Sequence, residues 1–101
     1  MKADFDILWS RESKLQFDRI ILYLRAEWTE KEVNKFLAQL KNFERIVVKF
    51  PEIYAESNKN AGWRRAVLSR HNSVIYKVDR EKATIRVYTI FDNRLHPDKL
   101  K

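Results

Sequence analysis

The chain has 101 residues, a length that suits one modest domain, residues 1–101, and is too short for two. Hydrophobic residues make up 45% and charged residues 35% of it, which is typical of a globular protein and excludes a disordered one. The 21 Lys/Arg and 14 Asp/Glu give a net charge of +7, and the absence of cysteine excludes disulfides, thiolate zinc sites and cysteine nucleophiles.

No apolar run approaches the roughly 18–20 residues that span a bilayer, and the first residues lack the apolar stretch of a signal peptide. We therefore expect a cytoplasmic protein with no membrane partner. The positive charge is uneven: residues 1–50 have ten Lys/Arg and eight Asp/Glu, whereas residues 51–101 have eleven and six. A basic surface attracts polyanions and acidic proteins, so the second half predicts such a partner.

The first half of the chain predicts a strand followed by two helices. Apolar and polar residues alternate over residues 4–9, as in a short strand, and Ser10 suits a helix N-cap. An apolar stripe at helical spacing then runs from Phe17 to Trp28. The Thr29-x-x-Glu32 capping box starts a second helix, whose stripe runs from Val33 to Val47 and which Pro51 ends. Helices joined so closely form an αα-hairpin.

The second half predicts a three-stranded antiparallel meander. Residues 63–69, 73–79 and 84–91 are rich in Val, Ile, Tyr and Thr, and turn-forming residues separate them. The first strand is expected to add at the edge of the meander or to pair within it. The prediction is an α+β fold: one four-stranded sheet with the helix hairpin on one face and the other face open to a partner.

Several short motifs accompany the predicted order of strand, αα-hairpin and meander. They are Trp9-Ser10, Ile21-Leu22-Tyr23-Leu24, Trp28-Thr29, Phe50-Pro51, Gly62-Trp63-Arg64-Arg65, residues 73–79, Ile90-Phe91-Asp92-Asn93-Arg94 and Pro97-Asp98-Lys99-Leu100. In this order the elements and motifs resemble the RelE/ParE superfamily of toxins from bacterial type II toxin–antitoxin modules, and the ParE or plasmid stabilisation branch most closely. The resemblance extends from about residue 5 to residue 100.

The resemblance implies a toxin that a cognate antitoxin neutralises with a disordered segment that folds onto it. It also implies contact with DNA only through the antitoxin complex, and no cofactor. ParE-type members inhibit DNA gyrase by binding, which here implicates the meander face and residues 93–101, whereas RelE-type members cut mRNA on the ribosome without a metal. An inactive homologue that only binds the antitoxin is the third alternative. The fold does not separate these functions.

Positions favour the gyrase inhibitor. Where RelE-like nucleases have two basic residues on the first meander strand, this chain has Arg64 and Ala66, and Ser73 stands where they have a further arginine. Arg94 matches their last arginine, and their C-terminal tyrosine falls near Leu100. The resemblance thus leaves Arg64, Arg94 and His96 as catalytic candidates, with histidine suited to proton transfer.

The candidates for binding the target or the antitoxin are basic residues of the second half: Arg64, Arg65, Arg70, Lys77, Arg86, Arg94 and Lys99. Structural ion pairing is the alternative for the arginines. Arg64 and Arg65 are adjacent on a strand, so they are expected to point to opposite faces. His71 is expected in a solvated turn, and Tyr76 and Tyr88 in packing. The two histidines lack carboxylates at ligand spacing, so no metal is expected.

Overall fold

Two helices and four strands make up the part of the chain that the structure, a computed structural model, describes: residues 4–57 and 62–95. In chain order the elements are β1 (Asp6–Trp9), α1 (Arg11–Glu27), α2 (Glu30–Val47), β2 (Trp63–Val67), β3 (Asn72–Asp79) and β4 (Thr84–Asp92). The strands form one sheet in the order β1-β4-β3-β2. Both hairpins of the meander are antiparallel. The predicted α+β class is confirmed.

The capping signals define the helix starts. The Ser10 hydroxyl accepts from the backbone N–H of Ser13 at 3.0 Å and donates to the carbonyl of Tyr88 at 2.6 Å, so it both caps α1 and ties it to β4. Thr29 caps α2 by accepting from the N–H of Glu32 at 3.4 Å. The last helical residue of α2 is Val47, shortly before Pro51.

Trp28 corrects one expectation. The apolar stripe predicted that it continues the buried face of the first helix, but α1 ends at Glu27 and Trp28 is its C-cap. Only Trp28 and Thr29 join the helices, so the chain must leave the helical path at Trp28 in order to reverse. Its ring is therefore 45% exposed and lies beside the Arg94 guanidinium, 4.9 Å from the ring centroid.

The place of β1, which the sequence left open, is the sheet edge beside β4, with the two strands parallel. The register runs from Asp6 opposite Thr84 to Trp9 opposite Val87. On its other side, the N–H of Phe5 donates to the carbonyl of Val48 at 2.9 Å. This pairing makes β4 a central strand between the first and third strands of the chain.

The core lies between the helix hairpin and one face of the sheet. Its fully buried side chains include Ile20, Leu24, Phe36, Phe43, Ala66, Val74, Tyr76, Ile85, Val87 and Ile90. The rings of Phe43, Tyr54 and Tyr76 form a cluster with centroid separations of 5.7–6.2 Å. The Tyr76 hydroxyl donates to the Pro51 carbonyl at 2.7 Å, which fixes the segment after α2 against the core.

The burial of Tyr76 predicts a loss of stability in alkali. Burial raises the pKa of Tyr76 to about 12, although Arg64 partly opposes the shift, whereas an unfolded tyrosine titrates near 10. The folded state therefore gains from this group below a pH of about 10 and loses that gain as the pH rises towards about 12. Urea titrations across that range should show a steeper fall in unfolding free energy for the native protein than for Tyr76→Phe. Equal slopes would contradict the prediction.

Candidate functional site

One face of the sheet carries no helix in the described part of the chain, and we call it the open face. Strand alternation turns Ala66 and Val74 towards the core, so their neighbours along each strand point the other way. The open face is lined by Leu8, Trp63, Arg65, Val67, Ile75, Lys77, Arg86 and Tyr88. Large apolar groups lie in water there, since Leu8, Val67 and Tyr88 are each more than half exposed.

A row of cross-strand partners on the open face places two cations side by side. Leu8 pairs with Arg86, Arg86 with Lys77 and Lys77 with Trp63, across all four strands. The Lys77 ammonium lies 5.5 Å from the centroid of the Trp63 ring. Within the described residues neither Lys77 nor Arg86 forms an ion pair. Like charges directly opposite one another destabilise a sheet, so this face would gain from an acidic partner.

Arg64 and Arg65 lie on opposite faces of the sheet, as strand alternation predicts. Arg65 is on the open face, where its Nε donates to the Ser73 hydroxyl at 3.2 Å. Arg64 is on the other face, donates to the Tyr54 carbonyl at 2.7 Å and lies 3.7 Å from the carboxylates of Glu52 and Glu56. With a side chain that is 17% exposed, Arg64 holds the segment that precedes β2 against the sheet.

Arg94 belongs to a buried ion cluster at the end of β4. Its two terminal nitrogens donate to Asp92 at 2.9 Å and Glu32 at 2.8 Å, and its side chain is 8% exposed. Asp92 is fully buried and also accepts from the amide of Asn72. Burial acts to lower the pKa of Arg94, but the hydrogen bonds and charges of Asp92 and Glu32 outweigh it and raise the pKa. The cluster fastens the end of β4 to the start of α2.

His71 lies in the turn before β3, as the sequence predicted, but it is partly buried and oriented by its neighbours. Its Nδ1 lies 3.3 Å from Oδ1 of Asn93, whose Nδ2 donates to the Arg70 carbonyl at 2.8 Å. That second bond turns the amide oxygen towards the imidazole, an arrangement that favours the neutral tautomer with its hydrogen on Nδ1 and its acceptor at Nε2. A pocket of about 110 Å³ beside the ring is lined by Arg65, Val67, Ser69, Arg70, Ser73, Phe91 and Asn93. We call it the His71 pocket.

A larger groove, the helix groove, runs between α1 and α2 over the end of the sheet and measures about 690 Å³. Its apolar lining consists of Trp9, Phe17, Leu37, Ala38, Leu40 and Ile90. Two lysines and two acids, Lys14, Asp18, Lys41 and Glu44, stand at its rim. Apolar surface between charged rims suits one face of an amphipathic helix.

The predicted site residues therefore fall into separate places. Arg65 and Arg70 line the His71 pocket, while Lys77 and Arg86 lie in the row on the open face. Arg64 and Arg94 each belong to a different network of internal contacts, and the roles suggested for them stay predictions. His96 and Lys99 lie outside the described residues.

The sequence analysis did not identify Asn93 as the hydrogen-bond partner of His71 or Asp92 as the ion-pair partner of Arg94. The short Asp92-x-Arg94 spacing was the one local signal for the ion cluster. Within residues 4–57 and 62–95, no group of three His, Asp or Glu side chains is placed to hold a metal ion. The helices in the same part of the chain are too short or too polar to span a membrane.

No protein-family model matches the chain, and no curated protein matches it in sequence. Solved structures match it in fold. A chain of the toxin–antitoxin complex RelBE2 from Mycobacterium tuberculosis superposes with a TM-score of 0.64 at 13% identity, over 88% of this chain and 98% of that one. A chain of the chromosomal ParDE toxin–antitoxin system from P. aeruginosa superposes with a TM-score of 0.64 at 18% identity, over 87% of this chain and 95% of that one. The RelE/ParE fold that the resemblance implied is confirmed.

Proposed function

We propose that this chain is the toxin of a type II toxin–antitoxin pair, that it inhibits DNA gyrase by binding, and that a cognate antitoxin neutralises it. Support for the class comes from the fold, which is shared with chains of two toxin–antitoxin complexes at 87–88% coverage of this chain. The observation that supports inhibition by binding concerns Arg64 and Arg94, the two arginines at positions that resemble catalytic positions of the nucleases. Both guanidinium groups are held in hydrogen bonds within the protein.

Those contacts favour binding over cleavage. Phosphate cleavage needs cations aimed at the developing charge. Arg94 donates hydrogen bonds to Asp92 and Glu32, and Arg64 donates one to the Tyr54 carbonyl. Neither guanidinium can therefore turn towards a substrate without breaking these bonds. Ala66, which stands at the second basic position, is fully buried.

The antitoxin would cover two surfaces. An acidic segment on the open face would compensate the adjacent positive charges of Lys77 and Arg86, and it would bury the exposed side chains of Tyr88 and Val67. An amphipathic helix would place its apolar side in the helix groove, whose volume is about 690 Å³ and whose lining is largely apolar. Such a segment is disordered when free and folds as it binds.

The test is to induce this chain in bacteria alone and together with the small protein encoded by the neighbouring reading frame. We expect growth arrest with the chain alone, and normal growth with both. Purified gyrase should lose supercoiling activity when the chain is added and regain it with the neighbouring protein. Unimpaired growth under strong soluble expression would contradict the toxin, and unimpaired supercoiling would contradict the target.

The His71 pocket favours a second candidate, metal-independent cleavage of RNA. Nε2 of His71 would take the proton of a ribose 2′-hydroxyl and the 2′-oxygen would attack phosphorus. The P–O5′ bond would break as a solvent water gives a proton to the leaving 5′-oxygen, which yields a 2′,3′-cyclic phosphate and a 5′-hydroxyl, and the imidazolium would then return its proton to the solvent. Arg65 and Arg70 line the same pocket and would hold the phosphate charge. Under this candidate, new mRNA 5′ ends appear within minutes of induction and disappear with His71→Ala. Gyrase inhibition, in contrast, should survive that substitution.

A further inference from the structure

A polar groove, distinct from the apolar helix groove, lies between the start of α2 and the β2–β3 turn, on the helix side of the sheet. It measures about 470 Å³, a size that accepts a small organic ligand. Its lining includes Trp28, Glu32, Lys35, Arg70 and His71. We call it the Trp28 groove; it lies apart from the open face and the helix groove, and it shares Arg70 and His71 with the His71 pocket.

The two walls of the Trp28 groove each supply a cation that the fold does not use. Lys35 projects from α2 and Arg70 from the turn that leads into β3, and both are exposed. Within the described residues, the side chains of Lys35 and Arg70 have no ion pair. The acid of the groove, Glu32, lies 2.8 Å from Arg94, which it shares with Asp92. The formal charges of Lys35, Arg70 and Arg94 against Glu32 and Asp92 therefore leave one excess positive charge around the groove.

An aromatic platform closes one end. Trp28 is 45% exposed, whereas Phe36 and Phe43 of the helix hairpin are buried. The Arg94 guanidinium, 4.9 Å from the ring centroid, and the His71 ring, 6.4 Å away, fix its position. An exposed, immobilised indole beside free cations is the arrangement that stacks a nucleobase, because every base offers a π-face.

We propose that the Trp28 groove binds a nucleoside phosphate. The base stacks on the exposed part of Trp28, while the phosphate lies between Lys35 and Arg70. An acidic peptide could pair with the cations but would make no use of the exposed part of the indole, so the platform favours a nucleotide. The ligand source is either a free mononucleotide or one unit of a single-stranded polynucleotide.

The inference does not depend on the proposed function, because the test measures binding by the isolated chain. Substituting Trp9→Phe and Trp63→Phe leaves Trp28 as the one tryptophan of the chain and hence the reporter of fluorescence. Titration with AMP should quench it saturably, with weaker effects from adenosine or inorganic phosphate alone, and added salt should reduce the affinity. Calorimetric titration of the unsubstituted protein with AMP checks the result without these substitutions.

Variants locate the ligand. Arg70→Ala and Lys35→Ala should each weaken AMP binding about tenfold, the effect of one charge-assisted contact. Arg19→Ala removes an exposed cation of α1 that lines none of these pockets and should change nothing. A hexamer of riboadenylate that binds more than tenfold tighter than AMP identifies the polynucleotide as the source, and equal affinity identifies the mononucleotide. The proposal is overturned by no saturable signal, by an equal effect of Arg19→Ala, or by polyglutamate binding as tightly as AMP.

Discussion

Replacing Arg94 with alanine is expected to lower the free energy of unfolding by about 3–5 kcal/mol, the cost of breaking a buried ion pair from one side. The substitution leaves the carboxylate of Asp92, which is fully buried, without its cation and frees Glu32. Total stabilities of small domains are about 5–15 kcal/mol, so the variant loses a large share of its stability. Chemical denaturation followed by circular dichroism measures the change.

Arg86→Ala is the matched control, since Arg86 is exposed and unpaired within the described residues. It should change stability by no more than about 0.5 kcal/mol. A stability loss for Arg94→Ala as small as that of Arg86→Ala would show that the cluster does not hold the fold. The comparison also matters for activity, because any loss of toxicity in Arg94→Ala must be corrected for the amount of folded protein.

The second large effect is expected at the helix groove and rests on the proposed function. Ala38 lines the groove and is exposed, so Ala38→Glu puts a carboxylate into the docking surface without disturbing the core. Burying a carboxylate against an apolar docking face costs several kcal/mol, and Lys41 at the groove rim offsets part of that cost. The affinity for the antitoxin should therefore fall at least about tenfold. Calorimetry with the protein of the neighbouring reading frame measures it, and co-expression should no longer restore growth.

Ala26→Glu provides the control for that substitution. Ala26 is an exposed residue of α1 that does not line the helix groove. Since both variants replace alanine by glutamate within a helix, they change helix propensity and net charge in the same way. Ala26→Glu should leave antitoxin affinity within about twofold, since exposed changes outside an interface contribute little. If Ala38→Glu binds as tightly as Ala26→Glu, the antitoxin does not occupy the helix groove.

Local patterns were sufficient to predict the elements of the fold. The capping residues Ser10 and Thr29 and the helix-ending Pro51 act within a few residues, so the sequence displays them directly. The pairing partner of β1 could not be predicted in this way. The alternation of apolar and polar residues in β1 fits pairing with β4, the edge strand of the meander, as well as it fits pairing with another strand. Only the three-dimensional packing, including the bond from Phe5 to Val48, decides it.

The candidate site was less predictable, for a physical reason. A side chain's availability depends on which groups come near it, and those groups are distant in sequence: Glu32 lies 62 residues before Arg94, and His71 lies 22 before Asn93. The sequence identified the basic residues but not that Arg94 is buried while Arg70 is exposed. Trp28 was assigned to the core because periodicity does not reveal the residue at which a helix stops.

The parallel pairing of β1 with β4 has a consequence for synthesis of the chain. Ser10 and Tyr88, which bond to each other across this junction, are 78 residues apart, so a nascent chain cannot close the sheet until β4 has emerged from the ribosome. Contacts of such long sequence separation slow folding. The open face and the helix groove, which both include residues of β1 and β4, therefore form only after β4 has been synthesised, and no shorter nascent chain presents them complete.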